Sequence, residues 1–355
     1  MTATNGSSRK VGILHVVEYQ KFISPFIALV NKYFDTSRHH FFFIRNGRLY
    51  IPQGDEVVTR NADTNRPFSK TFSFIRKANR ADKIVLHGLF SSWLILVLFF
   101  QPWLLRRCYW IIWGGDLYNY TSGVREGFDW IKEVFRRPII KNFGHLVTYV
   151  KGDVKLARHW YGAKGDWHDC LIYPSNLYQE LQTPIVSHDG VNILLGNSAD
   201  PSNNHREILD RLRQYVKNDT LIYCPLSYGP QSYAKEISDY GKLLYGNRFI
   251  ALLDFMKLEE YKILLASIDI AIFNHKRQQA MGNIITLLGM GKTVFIRSDI
   301  TSWQTLAEMG LVVGDYLRFD LRPFRPSIAD ENKMIISKRF NENVLINQLR
   351  HIFEN

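Results

Sequence analysis

Cysteine is scarce in this 355-residue chain: Cys108, Cys170 and Cys224 are odd in number and far apart, which excludes a disulfide framework and a Cys-x-x-Cys metal site. The sequence also lacks Asp-x-Asp, His-Glu-x-x-His and Walker A motifs, so it offers no ready-made site for a fixed metal or a P-loop nucleotide. No Gly-x-Gly-x-x-Gly follows the first strand-like segment, which disfavours nicotinamide and flavin chemistry. The polar stretch Met1–Lys10 has no apolar leader core. The longest apolar run, Trp93–Phe100 then Trp103–Leu105, is broken by Gln101 and Pro102 and ends on Arg106 and Arg107. It falls short of the roughly 18 to 20 residues that span a bilayer. Internal repeats and low-complexity segments are absent as well.

What is present is a core-forming chain, 46% apolar and 22% charged, of a length that suits two domains. The net charge is +12. Residues 1–180 hold 25 basic and 14 acidic side chains, whereas residues 181–355 hold 20 and 19. A global polyanion signal would suggest nucleic acid, but dense Lys/Arg runs are missing and the excess lies in one half. A basic half beside a neutral half predicts that one domain meets an anionic surface.

Short apolar or β-branched runs alternate with helix-length segments, which predicts two consecutive parallel, doubly wound α/β domains. In the first half the expected strands are Val11–Val17, His40–Arg45, Lys83–His87, Tyr109–Trp113, Leu146–Val150 and Cys170–Tyr173. Helices are expected at Ser91–Leu105 and Val124–Lys141, among others. The reading divides the chain into a polar tail at 1–9, a first domain at 10–175 and a linker at 176–190. A second domain at 191–340 and a last helix at 341–355 follow. Open sheets of this kind bind ligands at the carboxyl ends of their strands.

Several loops at such ends carry chemistry. In the second domain, Gly196, Asn197, Ser198 and Asp200 lie between a strand and a helix, where backbone N–H groups and the helix dipole favour an anion. A turn with an ordinary cap is the plainer alternative. Lys276, Arg277, Gln278, Gln279, Gly282 and Asn283 follow a later strand, and two cations with two amides suit a pyrophosphate and a sugar. Ser227 and Tyr228 form a third loop. In the first domain, His15, His87 and Asp116 are expected at loop edges as proton acceptors, with Asp116 at the rim after Gly114 and Gly115. Trp93, Phe99, Phe100, Trp103, Phe128 and Trp130, with Arg106, Arg107, Arg136 and Arg137, suit a membrane interface, against the plainer alternative of core-packed helices with a basic edge.

Taken in order, His87-Gly88-x-Phe90, Ile112-Trp113-Gly114-x-Asp116-Leu117-Tyr118, Gly196-Asn197-Ser198-x-Asp200-x-Ser202-Asn203 and Arg277-Gln278-Gln279 with Gly282 resemble the TDP-N-acetylfucosamine:lipid II N-acetylfucosaminyltransferases. This is the 4-alpha-L-fucosyltransferase family, glycosyltransferase family 56. His15 and Trp303 also fall at family-like positions. The resemblance implies a GT-B fold of two Rossmann-like domains and an inverting, metal-independent transfer without a cofactor. It implies a dTDP-sugar donor of the N-acetylfucosamine kind and a polyprenyl-pyrophosphate-linked acceptor. The implied location is peripheral, on the cytoplasmic side of the bacterial inner membrane, with no nucleic-acid partner.

Overall fold

The computed structural model describes residues 12–18, 20, 22–44, 47–50, 56–59, 67–121, 128–180 and 188–355. The polar tail 1–9, the linker stretch 181–187 and the first residues of the helix expected from Val124 lie outside them. The chain forms two compact units, one running to Ser175 and taking back Glu342–Asn355, the other Asn176–Asn341.

The first unit runs β1 (Ile13–Val17), α1 (Ile23–Tyr33), β2 (His39–Phe43), an antiparallel pair β3 (Gly47–Tyr50) and β4 (Glu56–Thr59), α2 (Pro67–Arg80), β5 (Lys83–His87) and α3 (Ser92–Phe99). It continues with β6 (Cys108–Ile111), α4 (Gly114–Leu117), α5 (Phe128–Asn142), β7 (His145–Val147), α6 (Lys151–Tyr161) and β8 (Asp166–His168). Its sheet is parallel, in the order β2-β1-β5-β6-β7-β8. The order reverses between β1 and β5, so the loops after these two strands flank a switch point, where open α/β sheets hold ligands. All five residues of β1 are buried, as in a sheet covered on both faces.

The second unit runs β9 (Val191–Leu195), α7 (His205–Leu212), β10 (Thr220–Pro225), α8 (Gln231–Tyr245), β11 (Phe249–Leu252), α9 (Leu258–Ala266), β12 (Ile270–Phe273) and α10 (Met281–Gly289). It ends with β13 (Thr293–Ile296), α11 (Thr301–Glu308), β14 (Gly314–Asp315) and α12 (Pro326–Arg339). Its sheet is also parallel, β11-β10-β9-β12-β13-β14, and reverses between β9 and β12. Each unit has its own core, centred on residues such as Trp110 and Phe74 in one and Ile193 and Ile272 in the other. Full burial of one such side chain contributes about 1.5–3 kcal/mol.

The sequence reading has no strand at β3, β4 or β8, and three further elements differ from it. Cys170–Tyr173 is not a strand; β8 precedes it. The run is apolar because it packs beneath the last helix, α13 (Glu342–Glu354), whose Gln348 Oε1 accepts the Leu171 N–H at 2.9 Å. The helix expected over Ser91–Leu105 stops at Phe99, and Pro102 opens a separate 3-10 turn to Arg107. Helix α12 shows no apolar stripe in the sequence, because its charges are scattered and only Asn332 and Ile336 are buried.

Candidate active site

At the carboxyl edge of the second sheet, Gly196 follows β9 with φ +68, and a Cβ there would lie 2.8 Å from Asn203 Oδ1 and from His205 Nε2. Glycine is therefore required by both conformation and space. Asn203 organises the loop. Its Oδ1 accepts the Asn197 N–H at 3.0 Å and stands 2.8 Å from His275 Nε2, and its Nδ2 donates to the Asp200 carbonyl at 2.9 Å. Asp200 accepts the Ser202 N–H at 2.8 Å.

Two further loops are tied to this one. The Ala199 N–H donates to the Tyr228 carbonyl at 2.6 Å, and Gly229, at φ +126, packs against the Ala199 backbone where no Cβ would fit. Ser202 Oγ donates to Gln279 Oε1 at 2.9 Å, and Asn204 Nδ2 to the Asn274 carbonyl at 2.7 Å. The loops after β9, β10 and β12 thus form one bonded cluster beside the switch point.

Helix α10 begins in this cluster. Its N-cap, Ala280, sits at φ +58 and makes no side-chain cap, and the same holds for Asn204 at the start of α7. A left-handed alanine costs about 1–2 kcal/mol and persists only where its surroundings impose it. It leaves the first N–H groups of α10 without a side-chain cap, next to exposed Lys276 and half-buried Arg277. Burial alone would raise the Asp200 carboxyl, but the Ser202 hydrogen bonds and the Arg277 charge outweigh it and hold it below its usual value. Burial pushes His275 down to about 3 and His205 down to about 4, so both rings are neutral near pH 7.

In the first unit the carboxyl edge is built differently. Asp116 occupies the third position of the short α4 turn. Its Oδ1 accepts the Trp113 N–H at 2.8 Å, and its Oδ2 accepts Trp110 Nε1–H at 2.8 Å and the Leu89 N–H at 2.9 Å. The carboxylate is fully buried, and burial raises its pKa against the lowering effects of Arg136 and these donors. His15 and His87 are also buried, hydrogen-bonded to one another at 3.2 Å. Glu18, half-buried directly after β1, brings a second carboxylate to this edge.

The model of the 4-alpha-L-fucosyltransferases, glycosyl transferase group 56, matches residues 25–318. The chain belongs to glycosyltransferase family 56. Its fold is GT-B, and among similar solved structures is HepE from Anabaena in complex with UDP and glucose, 14% identical, covering 97% of this chain and 99% of that one with a TM-score of 0.67. Sucrose-phosphate synthase from Thermosynechococcus elongatus is 11% identical, with 97% and 98% covered and a TM-score of 0.62. A glycosyltransferase from Rickettsia africae is 14% identical, with 97% and 98% covered and a TM-score of 0.61. This family 56 member is accordingly a glycosyltransferase.

The structure of this glycosyltransferase gathers Gly196, Asn197, Asp200, Tyr228, Gln279 and Lys276 to Gln278 into one loop cluster. Ser227 is exposed on the same loop as Tyr228. Ser198, by contrast, is buried with its hydroxyl on Asn203, and Asn283, beyond Gly282, turns its amide to Tyr261 at 3.0 Å. The rim placement of Asp116 is corrected to a buried clamp between two loops, because three N–H groups enclose its oxygens. His87 does end β5 at the loop edge but is buried there, whereas His15 lies in the middle of β1 and is buried between the neighbouring strands. The buried polar scaffold of Asn203, His205, Asn274 and His275 has one sequence signal, the density of Asn and His on either side of the expected phosphate loops.

The proposed membrane residues divide. Helices α2, α3 and α5 lie side by side, with Trp93 donating to Thr71 Oγ1 at 3.0 Å and Phe99 edge-on to Phe135 at 4.8 Å. Phe68 and Phe72 of α2, Phe100 and Trp103 beyond α3, and Trp130 of α5 are exposed, as are Arg106 and, less so, Arg137. Trp93, Phe99 and Arg107 are turned partly inward. Arg136 is buried at 1% exposure, paired with Glu133 and donating to the Asp116 carbonyl, so its placement on the surface is corrected. The side chain of Phe128 lies outside the described residues. Among the described residues no helix is long and apolar enough to cross a membrane.

Proposed function

We propose that this enzyme inverts the anomeric centre of a dTDP-activated acetamidodeoxy sugar as it passes it to a polyprenyl-pyrophosphate-linked saccharide. The observation that carries the reading is the bonded three-loop cluster at the switch point of the second sheet, with its uncapped α10 N-terminus and adjacent cations. Backbone N–H groups around Gly196 and Asn197 would cradle the diphosphate. Lys276, Arg277 and the α10 N-terminus would stabilise the negative charge that grows on the departing nucleotide, without a metal ion. UDP and glucose in the HepE structure support a nucleotide-sugar donor for this fold.

The first unit receives the acceptor at its own switch point. Its exposed aromatic residues, ringed by Arg106 and Arg137, dock on the anionic cytoplasmic face of the inner membrane, where a polyprenyl carrier resides. A radiolabelled dTDP-sugar assay, with and without an undecaprenyl-pyrophosphate-linked acceptor, tests the reading. Transfer that requires both partners is expected. A parallel thermal-shift series with dTDP, UDP and GDP should show the largest rise with dTDP. A larger rise with UDP would instead favour a UDP-sugar enzyme, the alternative that the HepE complex suggests.

A further inference from the structure

Three histidines of the first unit form an unbroken hydrogen-bonded row. His39 Nδ1 lies 2.9 Å from His15 Nε2, His15 Nδ1 lies 3.2 Å from His87 Nε2, and His87 Nδ1 lies 2.8 Å from Tyr173 Oη. Register places the row along the strands. His39 is level with Ile13, His15 is two residues further along β1, and His87 follows Leu86, which is level with Val16. The row therefore climbs about four residues, or about 13 Å at 3.3 Å per residue, toward the carboxyl edge at the switch point. Alternation keeps all three rings on one face, where Phe26 packs edge-on to His15 and His87 and Phe353 to His15 and His39.

The two ends differ. At the upper end Tyr173 is itself buried, packed among Phe22 and Trp113 of the loops after β1 and β6, so an acceptor hydroxyl reaches its Oη only when these two loop side chains part. At the lower end His39 borders a cavity of about 50 Å³ together with Asp35, Arg38 and Glu354. Packing alone would be served better by apolar side chains, since each buried imidazole must be desolvated and then satisfied. A neutral imidazole carries one N–H and one lone pair on its two nitrogens. A row joined Nδ1 to Nε2 can therefore shift every proton by one step without turning a ring.

We propose that this row is a proton relay for glycosyl transfer, which rests on the reading that an acceptor hydroxyl attacks at this edge of the first sheet. The acceptor oxygen forms its bond to the anomeric carbon while the bond from that carbon to the diphosphate oxygen breaks, its electron pair leaving with the nucleotide. The hydroxyl proton passes to Tyr173 Oη, whose own proton moves to His87 Nδ1. His87 hands its Nε2 proton to His15 Nδ1, and His15 hands its Nε2 proton to His39 Nδ1. The added charge then rests on His39, at the cavity shared with Asp35 and Glu354, which favour it, and with Arg38, which opposes it and keeps it short-lived. After the nucleotide departs, the same steps run backward and release one proton to solvent at the carboxyl edge, restoring the row. Tyr173 is the catalytic residue of this scheme, and the histidines are positioning residues.

His15→Gln and His39→Gln test it, because glutamine keeps a hydrogen bond but cannot exchange tautomers. Steady-state kinetics in mixtures of H2O and D2O should show kcat lowered roughly ten- to a hundredfold, with KM for the nucleotide sugar within about twofold. The wild-type rate should bow with deuterium fraction, and the variants should give a straight line. Thermal melting identifies which variants are folded, and His39→Phe provides a third. Wild-type turnover together with unchanged kcat in a folded variant overturns the relay alone. So does loss of turnover in Glu18→Gln while both glutamine variants keep theirs. A wild-type chain that moves no sugar from any nucleotide sugar overturns the acceptor reading and the relay together.

Discussion

Asp116 receives N–H groups from three stretches of chain: β6 through Trp110, the loop after it through Trp113, and the loop after β5 through Leu89. Replacing one carboxylate oxygen by an amide NH2 would set donor against donor in a buried site and leave at least one group unsatisfied. Asp116→Asn should therefore lower unfolding free energy by about 1–3 kcal/mol, read from the urea midpoint. Affinity for the nucleotide, which the proposed function assigns to the other unit, should be unchanged. Wild-type stability with lost turnover would return the proton to Asp116. The sequence suggested a rim acid here because two glycines precede it. The same four residues equally spell a helical turn with an acid at its third position, and only the surrounding donors decide between the two. His15 was similarly ambiguous: a histidine inside a strand gives no sign of whether it faces another histidine.

Strands were the more legible elements, since hydrophobic runs of parallel sheets are buried on both faces and stand out as blocks. Lys83–His87 stands where the residues placed it, and the expected Tyr109–Trp113 overlaps β6. Failures arose where apolarity served another partner, as in Cys170–Tyr173 beneath α13. The surface of α2, α3 and α5 shows the same limit, because periodicity did not separate Arg136, sunk against Glu133, from Arg137 one residue on. This difference is measurable. Arg106→Glu with Arg137→Glu should weaken binding to vesicles containing anionic lipid at least tenfold, at about 1 kcal/mol per charge, while leaving the fold intact. Arg136→Glu should instead destabilise the protein, since it places like charge beside Glu133 in a buried site. Equal vesicle binding by the double variant and the wild type would mean that this surface meets no membrane.

For the molecule as a whole, buried neutral histidines in both units set a common acid sensitivity. Burial holds His87 and His275 at about 3 and His205 at about 4, against about 6.5 in the unfolded chain. Between those values the unfolded state binds the extra protons, so stability falls as pH falls below about 6.5 and is insensitive to these groups above it. Each histidine contributes at most about 1.4 kcal/mol per pH unit. Urea unfolding at pH 7.5, 6.5 and 5.5 should show a loss of about 1 kcal/mol over the last unit for each of these three histidines, and more in total because burial lowers His15, His39 and His168 as well. A flat profile would show that the native rings accept protons.

The return of Glu342–Asn355 to the first unit bears on the order of assembly. Phe353 packs on His15 and His39, the Ile352 carbonyl accepts Lys83 Nζ–H at 2.6 Å, and Gln348 holds Leu171. During synthesis the second unit is finished while the first still lacks this cover. The cover that Phe353 lays over His15 and His39 is thus the last part of the first unit to be synthesised.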